Sequence, residues 1–168
     1  HKTATTLIQS SFDLWQNKLA SLGVIYPRSN WFHHAHHRIA FAMRGMVDPS
    51  RRDKPDLGIE ISELFHNLPR PGGALKVFLS SEEMFAAGRD SISLLREHLC
   101  QWEVNIIAFV RRPDDLLLSI YNQNIKEPRN DFKFPINKFI DEPFRLHRDM
   151  ATRECVENWS AAFGRERV

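Results

Sequence analysis

Three short segments of the chain carry residues that could bind an anion or move a proton. In the first segment, Lys2 and three threonines stand directly before an amphipathic stretch that predicts a helix. The start of a helix offers unpaired backbone N–H groups and a partial positive charge, to which Thr5 and Thr6 would add hydroxyl donors. A threonine-capped helix start with an exposed lysine explains the same residues without a ligand. An ATP-binding P-loop is disfavoured, because the pattern GxxxxGK[ST] is not present.

The second segment is Ser80-Ser81-Glu82-Glu83, at the end of a predicted strand. Ser80 and Glu83 have the spacing of a capping box, in which each side chain bonds a backbone N–H at the start of a helix. That arrangement leaves Glu82 to point off the strand end into a cleft. A carboxylate there could accept a proton from a hydroxyl group, and its alternative role is to stabilise the helix dipole.

In the third segment, Arg111 follows the apolar run Val104–Val110, and Pro113 opens the next helix. An arginine at the carboxyl end of a buried strand is placed to receive an anion. Ser119 lies eight residues after Arg111. Two helical turns therefore bring its hydroxyl back toward the same cleft. Arg112 is expected to be solvated or salt-bridged.

Four histidines cluster just after residue 32 and have the spacing of a shared helix face. They are His33, His34, His36 and His37. His33 and His37 have the HxxxH spacing of zinc proteases, but the glutamate that follows the first histidine in those enzymes is missing. No carboxylate or cysteine nearby completes a ligand set, so the sequence predicts no metal site here.

Predicted strands that alternate with helices position these segments. Helices are predicted over 5–22, 31–46, 59–68, 80–100, 113–126 and 148–163, strands over 74–79 and 104–110, and a short extended piece over 24–27. Such alternation is typical of parallel βαβ units, so the sequence predicts an open α/β sheet. Ligands bind at the carboxyl ends of the strands in such sheets. The continuous apolar run 104–110 is predicted to be a strand covered on both faces.

Length and composition narrow the class of protein. The 168 residues suit one domain with its own core. A net charge of +2 is too balanced for a protein that coats a nucleic acid, so no nucleic-acid partner is predicted. The two cysteines are far apart, which excludes a disulfide scaffold and a cysteine zinc knuckle. No apolar run is long enough to span a bilayer, and a cytoplasmic location is expected.

Together the three segments resemble the sulfotransferase family that uses 3′-phosphoadenosine 5′-phosphosulfate (PAPS), particularly its bacterial members. In that family a K-T-G-T-T loop binds the 5′-phosphosulfate, and an R-x-P segment with a serine eight residues after the arginine binds the 3′-phosphate. The segment Lys2–Thr6 matches the loop except at Ala4, and Arg111–Pro113 with Ser119 matches the second motif. Glu82 falls at the strand end where the family places its catalytic base.

The resemblance implies a three-layer, P-loop-like parallel sheet flanked by helices. Residues 1–168 would form a single sulfotransferase-like domain that is incomplete at both ends, with a first strand ahead of His1 and a further strand after Val168. If the backbone at Ala4 needs a positive φ, alanine is strained there and nucleotide affinity falls.

The resemblance also implies a role for each site residue. Lys2 would neutralise charge on the bridging oxygen, and Glu82 would activate the acceptor hydroxyl. Arg111 and Ser119 would hold the 3′-phosphate. The loop residues that would cradle the 5′-phosphate are Thr3, Ala4, Thr5 and Thr6.

The expected reaction is sulfonyl transfer from PAPS to a hydroxyl or amine of a carbohydrate or another small acceptor, with no metal required. In the family the histidine-bearing helix borders the acceptor cleft, so polar contacts to substrate are the expected use of the four histidines. Two alternatives stay open: a catalytically silent nucleotide- or anion-binding module, and a P-loop-like kinase that uses ATP. The acceptor's identity and the oligomeric state are not predicted.

Overall fold

The computed structural model describes residues 5–31, 34–68, 75–126, 134–141 and 151–168. Within these ranges the helices and strands follow in the order α1 (Thr5–Leu14), α2 (Gln16–Ser21), β1 (Val24–Ile25), α3 (His37–Arg44), α4 (Leu57–His66), β2 (Lys76–Val77), α5 (Arg89–His98), α6 (Pro113–Lys126), α7 (Ile136–Asp141) and α8 (Thr152–Phe163). Short 3₁₀ helices span Glu82–Met84 and Arg165–Arg167. The part of the chain that is described is therefore rich in helix.

The two strands form a parallel pair, which is compatible with the predicted α/β class. Lys76 N–H donates to the Gly23 carbonyl and Phe78 N–H donates to the Ile25 carbonyl, each at 2.9 Å. Gly23 has a φ of 73°, which glycine adopts without strain, and it ends the first helical stretch as predicted. The sheet has two strands among the described residues, fewer than the three-layer architecture requires.

The predicted strand Val104–Val110 is wrong for the described structure, in which this run forms no strand of the sheet. Ile107 is 66% exposed and Val110 is 58% exposed, so the run is not covered on both faces. It is tied to the rest of the fold where Ile106 N–H donates to the Arg167 carbonyl at 2.6 Å. A continuous apolar run satisfies the local requirement for a buried strand, but strand pairing also needs a neighbouring edge.

The helix predicted over residues 31–46 begins only at His37. Contacts to distant elements hold the preceding residues out of helical geometry. The Asn30 side chain donates to the Glu60 carbonyl at 2.6 Å, and the Tyr26 hydroxyl donates to the His34 carbonyl at 2.7 Å. Asn30 and His34 both have φ values near +60°. The predicted helix face shared by the histidines is therefore wrong.

The helix predicted from Ser80 to Cys100 is likewise divided. A single 3₁₀ turn, Glu82–Met84, is followed by non-helical residues, and α5 begins at Arg89. The Phe85 carbonyl in this interruption accepts a hydrogen bond from Trp159 Nε1 of α8 at 3.2 Å. In a continuous helix the Phe85 carbonyl would accept a backbone N–H from the next turn, whereas here it accepts the Trp159 side chain.

Two helices lie toward the C-terminal half of the described chain. α6 has both predicted ends, because proline at its first position and two acidic residues in its first turn are strong local signals. α7 was not predicted, and it buries Phe139 against Leu117, Ile120 and Tyr121 of α6. The last predicted helix, over residues 148–163, corresponds to α8 in the part of the chain that the structure describes.

The main core lies between α3, α4, α5 and α8. Ile39, Leu64, Ile92 and Trp159 come from these four helices and are buried together. Full burial of a side chain such as Ile39 or Leu64 stabilises the folded state by about 1.5–3 kcal/mol, so this cluster holds the four helices together. The core thereby fixes α3, which carries His37, against the segment that follows β2. No described helix is long and apolar enough to cross a membrane.

Candidate functional site

The candidate site lies a few residues after β2, because Glu82 is the first residue of the 3₁₀ turn that follows this strand. Ser81 Oγ accepts a hydrogen bond from the Glu83 N–H at 3.2 Å and so caps the 3₁₀ turn. The predicted cap at Ser80 is wrong by one residue. Ser80 still belongs to the extended chain, since its N–H donates to His36 Nδ1 at 3.1 Å and its carbonyl accepts from the His36 N–H at 2.8 Å.

Glu83 does not reach back to the start of the turn, as the predicted capping box requires. Its carboxylate forms an ion pair with Arg44 at the end of α3. A partly buried guanidinium is a stronger partner for a carboxylate than a backbone N–H. The pair draws the Glu83 side chain toward the end of α3.

A glutamine from α1 holds the Glu82 carboxylate. Gln9 Nε2 lies 3.3 Å from Glu82 Oε2 and 3.0 Å from Ser80 Oγ, and the Gln9 side chain is buried. An amide N–H that donates to a carboxylate oxygen fixes its orientation without neutralising its charge. The Glu82 side chain is 26% exposed, so it has access to solvent.

His37, the first residue of α3, completes the surroundings of Glu82. Its Nε2 lies 3.9 Å from Glu82 Oε2, and its Nδ1 lies 2.8 Å from Ser81 Oγ. Because Ser81 Oγ already accepts the Glu83 N–H, the Ser81 hydroxyl proton can be donated to Nδ1. That arrangement favours the tautomer with its proton on Nε2, which faces the carboxylate.

The same carboxylate borders a large cavity. The cavity has a volume of about 820 Å³ and lies between the chain segments 75–82 and 103–111. Its walls are mainly apolar. Polar residues line it toward both ends of the two segments, and they include Ser80, Glu82 and Arg111 at the carboxyl ends and Lys76, Glu103 and Asn105 at the amino ends. Glu82 and Arg111, which come from two different predicted ligand-binding segments, thus share one cavity.

The remaining predicted site residues are distributed as follows. Lys2, Thr3 and Ala4 lie outside the described residues. Thr5 is the first residue of α1, and Thr6 is exposed. Ser119 is half-buried on α6 but does not line the cavity, so the predicted pairing of Ser119 with Arg111 at one cleft is not seen.

Arg112 forms an exposed ion pair with Asp114, with Nη2 2.7 Å from Oδ2, as predicted for a salt-bridged neighbour of Arg111. Arg112 does not line the cavity. The two adjacent arginines therefore differ in their access to a ligand, which makes Arg112 a natural control.

The histidines of the cluster have separate surroundings. His34 is exposed, with Nδ1 2.9 Å from Asp13 Oδ2. His36 is fully buried, and His33 lies outside the described residues. Within the described ranges no group of three or more histidine, cysteine or acidic side chains could hold a metal ion.

Sequence reasoning predicted neither the contact of Gln9 nor that of His37 with Glu82. It gave Gln9 no role, and it counted His37 among four histidines expected to share a helix face and to contact substrate. The local sequence contains no signal for either contact, since each residue meets Glu82 only through the packing of separate helices.

Comparisons of the chain with protein-family models, with curated proteins and with solved structures gave no match.

Proposed function

We propose that this chain transfers a sulfonyl group from PAPS to a hydroxyl or amine of a carbohydrate or another small acceptor. The observation that supports this proposal best is the shared cavity of Glu82 and Arg111. One residue follows β2 and the other follows the apolar run 104–110, so a general base and an anion-binding guanidinium border the same space. Gln9 of α1 also contacts Glu82, so α1 borders the same site.

The proposed chemistry is an in-line displacement at sulfur. The acceptor oxygen or nitrogen forms a bond to sulfur while the bond from sulfur to the bridging oxygen of the 5′-phosphate breaks. The acceptor proton passes to the Glu82 carboxylate, and the products are adenosine 3′,5′-bisphosphate and a sulfate ester from a hydroxyl, or a sulfamate from an amine. Positioning and charge stabilisation supply the rate enhancement, as in phosphoryl transfer.

Glu82 suits the role of base because it is held but not neutralised. Gln9 donates to Oε2, and the Nε2 side of His37 faces the same oxygen. Because both contacts are made to Oε2, we assign the transfer of the acceptor proton to Oε1 of the carboxylate. Arg111 suits a phosphate dianion, because its planar guanidinium can donate two parallel hydrogen bonds.

Nucleotide binding tests the proposal first. We expect adenosine 3′,5′-bisphosphate to bind more tightly than ATP–Mg²⁺ in calorimetric titrations. The substitution Arg111→Ala should weaken bisphosphate binding by about 10- to 100-fold, since a charge-assisted contact contributes about 1.5–3 kcal/mol. The matched variant Arg112→Ala should bind as the wild type does.

Equal losses in the two arginine variants would contradict a specific role for Arg111. A preference for ATP–Mg²⁺ would contradict the proposal and favour a kinase.

Turnover tests the role of Glu82. With labelled PAPS and a panel of carbohydrate and small hydroxyl or amine acceptors, Glu82→Gln should reduce turnover by about 10²- to 10⁴-fold while bisphosphate affinity stays the same, because the amide cannot accept the acceptor proton. Undiminished turnover in this variant would exclude Glu82 as the base. Bisphosphate binding without turnover of any acceptor would favour the silent binding module.

A further inference from the structure

A serine and a histidine beside Glu82 have the geometry of a nucleophile and its base. Ser81 Oγ lies 2.8 Å from His37 Nδ1 and accepts the Glu83 N–H at 3.2 Å. Because the oxygen accepts from the backbone, its own proton can pass to Nδ1 as Oγ attacks an electrophile. The Glu83 N–H also stabilises the negative charge that develops on Oγ during such an attack. The proposed sulfonyl transfer gives Ser81 no role.

The Glu82 carboxylate faces the other nitrogen of the same imidazole. His37 Nε2 lies 3.9 Å from Glu82 Oε2, which is an ion-pair distance, and Gln9 Nε2 lies 3.3 Å from that oxygen. Once Nδ1 has taken the serine proton, the ring carries a positive charge that a carboxylate at this position stabilises. A hydroxyl, an imidazole and a carboxylate in this order form the Ser–His–acid arrangement of acyl transfer, which occurs in unrelated folds.

The imidazole is already oriented by the fold. His37 is buried at the start of α3, and its ring stacks on Phe41 with centroids 5.8 Å apart. Ile39 of the same helix is buried in the main core, so α3 itself is fixed. A base that the fold holds in position needs no ordering during the reaction, which lowers the barrier.

Ser81 borders the large cavity, whereas its base does not. Ser81 and Glu82 line the cavity, and the buried His37 does not. The cavity-lining residues that flank this pair in the sequence include the apolar side chains of Phe78, Leu79, Met84 and Phe85. An apolar group of a substrate can therefore occupy the cavity while its reacting carbon lies at Ser81.

We infer that Ser81 is the nucleophile of a second activity, the hydrolysis of carboxylic esters that carry an apolar acyl chain, with His37 as the general base. Ser81 Oγ forms a bond to the ester carbonyl carbon, and the bond from that carbon to the alcohol oxygen breaks. The serine proton passes through His37 Nδ1 to the leaving alcohol. This inference does not depend on sulfonyl transfer.

Water completes the reaction. Its oxygen forms a bond to the carbonyl carbon of the acyl-serine, and the bond from that carbon to Ser81 Oγ breaks. One proton of the water passes through His37 Nδ1 to Ser81 Oγ, and the carboxylic acid is released. The serine and the neutral histidine are thereby restored.

Covalent labelling tests the nucleophile. An octyl fluorophosphonate forms a bond from phosphorus to an activated serine oxygen and releases fluoride, and mass spectrometry of the peptides locates the label. We expect the label on Ser81 in the folded chain, with labelling at least about tenfold slower in urea, where His37 no longer contacts the hydroxyl. A label on another serine, equal labelling in urea, or no label at all would overturn the inference.

Two serine variants serve as a matched pair in the labelling experiment. Ser81→Asn should abolish the label, because the asparagine side chain can still accept the Glu83 N–H and donate to His37 Nδ1 but is no nucleophile. Ser93→Ala changes an exposed serine of α5 and should be labelled as the wild type is. The Tm of each variant shows that it is folded, and the comparison of folded with unfolded wild type needs no variant.

Ester hydrolysis tests the base and the substrate class. With p-nitrophenyl acetate, butyrate and octanoate, kcat/KM should be at least about tenfold higher for octanoate than for acetate, because the longer chain buries more apolar surface. His37→Asn should lower kcat by about 10²- to 10⁴-fold, since the amide cannot take up the serine proton. Unchanged hydrolysis in Ser81→Asn or His37→Asn would overturn the inference, and a preference for acetate would overturn the placement of the acyl chain in the cavity. None of these measurements uses a nucleotide, so their outcome is separate from that of the proposed function.

Discussion

Acidification should destabilise the segment that follows β2, because it protonates His36. This side chain is fully buried and joins the loop after β1 to the segment after β2. Its Nδ1 accepts the Ser80 N–H at 3.1 Å, so its ring proton lies on Nε2 and is donated to the Pro27 carbonyl at 2.9 Å. A second proton would have to enter at Nδ1, where it would face the Ser80 N–H. The buried neutral ring is therefore part of what positions the chain just before Glu82.

The size of the effect follows from the shift in protonation. Burial lowers the pKa of His36 from 6.5 to about 4, and the nearby His37 lowers the pKa further, while the bonds to Pro27 and Ser80 act in the opposite direction. Between these two values the unfolded chain binds a proton and the folded chain does not. The contribution to stability is complete above pH 6.5 and is lost as the pH falls to about 4. From about pH 7.5 to about pH 5 the loss is about 2 kcal/mol, or about 4–8 °C in Tm.

Urea denaturation followed by tryptophan fluorescence at the two pH values measures this loss. The control is His36→Asn, which offers an oxygen acceptor to the Ser80 N–H but does not titrate. The variant should be less stable than the wild type at neutral pH by about 1 kcal/mol, because the bond to Pro27 is lost. Its stability should change less between the two pH values, since other titrating groups act equally on both proteins. The same loss of stability in wild type and variant would refute the assignment to His36.

Two further predictions concern stability and thiol access. Asp48 is fully buried and accepts a hydrogen bond from Arg38 Nη1 at 2.7 Å, so Asp48→Asn should lower the free energy of unfolding by about 3 kcal/mol. Asp53 is a half-exposed partner of the same guanidinium, so Asp53→Asn should lower the free energy of unfolding by less in the same urea titrations. An equal loss of stability in both variants would contradict the expectation that the buried ion pair contributes more than the half-exposed one. Cys100 is exposed and Cys155 is buried, so a thiol reagent should modify one cysteine rapidly and the other only after urea is added. Rapid reaction of both would contradict the packing of α8.

The parts of the fold that sequence reasoning predicts well are those fixed by local chemistry. α6 has proline at its first position and acidic residues beside it, and both of its ends are as predicted. Gly23 ends the first helical stretch because its left-handed backbone is a local property. The run Val104–Val110 differs, because an apolar series makes a strand possible and only a neighbouring edge makes it a paired strand.

The candidate site divides in the same way. Glu82 was predicted to stand off the end of a strand; β2 ends at Val77, and Glu82 lies five residues further on, in the 3₁₀ turn that Ser81 caps. The contacts of Gln9 and His37 with Glu82 were not predicted, because they arise from the packing of α1 and α3. The spacing of residues in the sequence indicates which side chains a segment can contribute to a site, and the tertiary packing determines which of them come into contact.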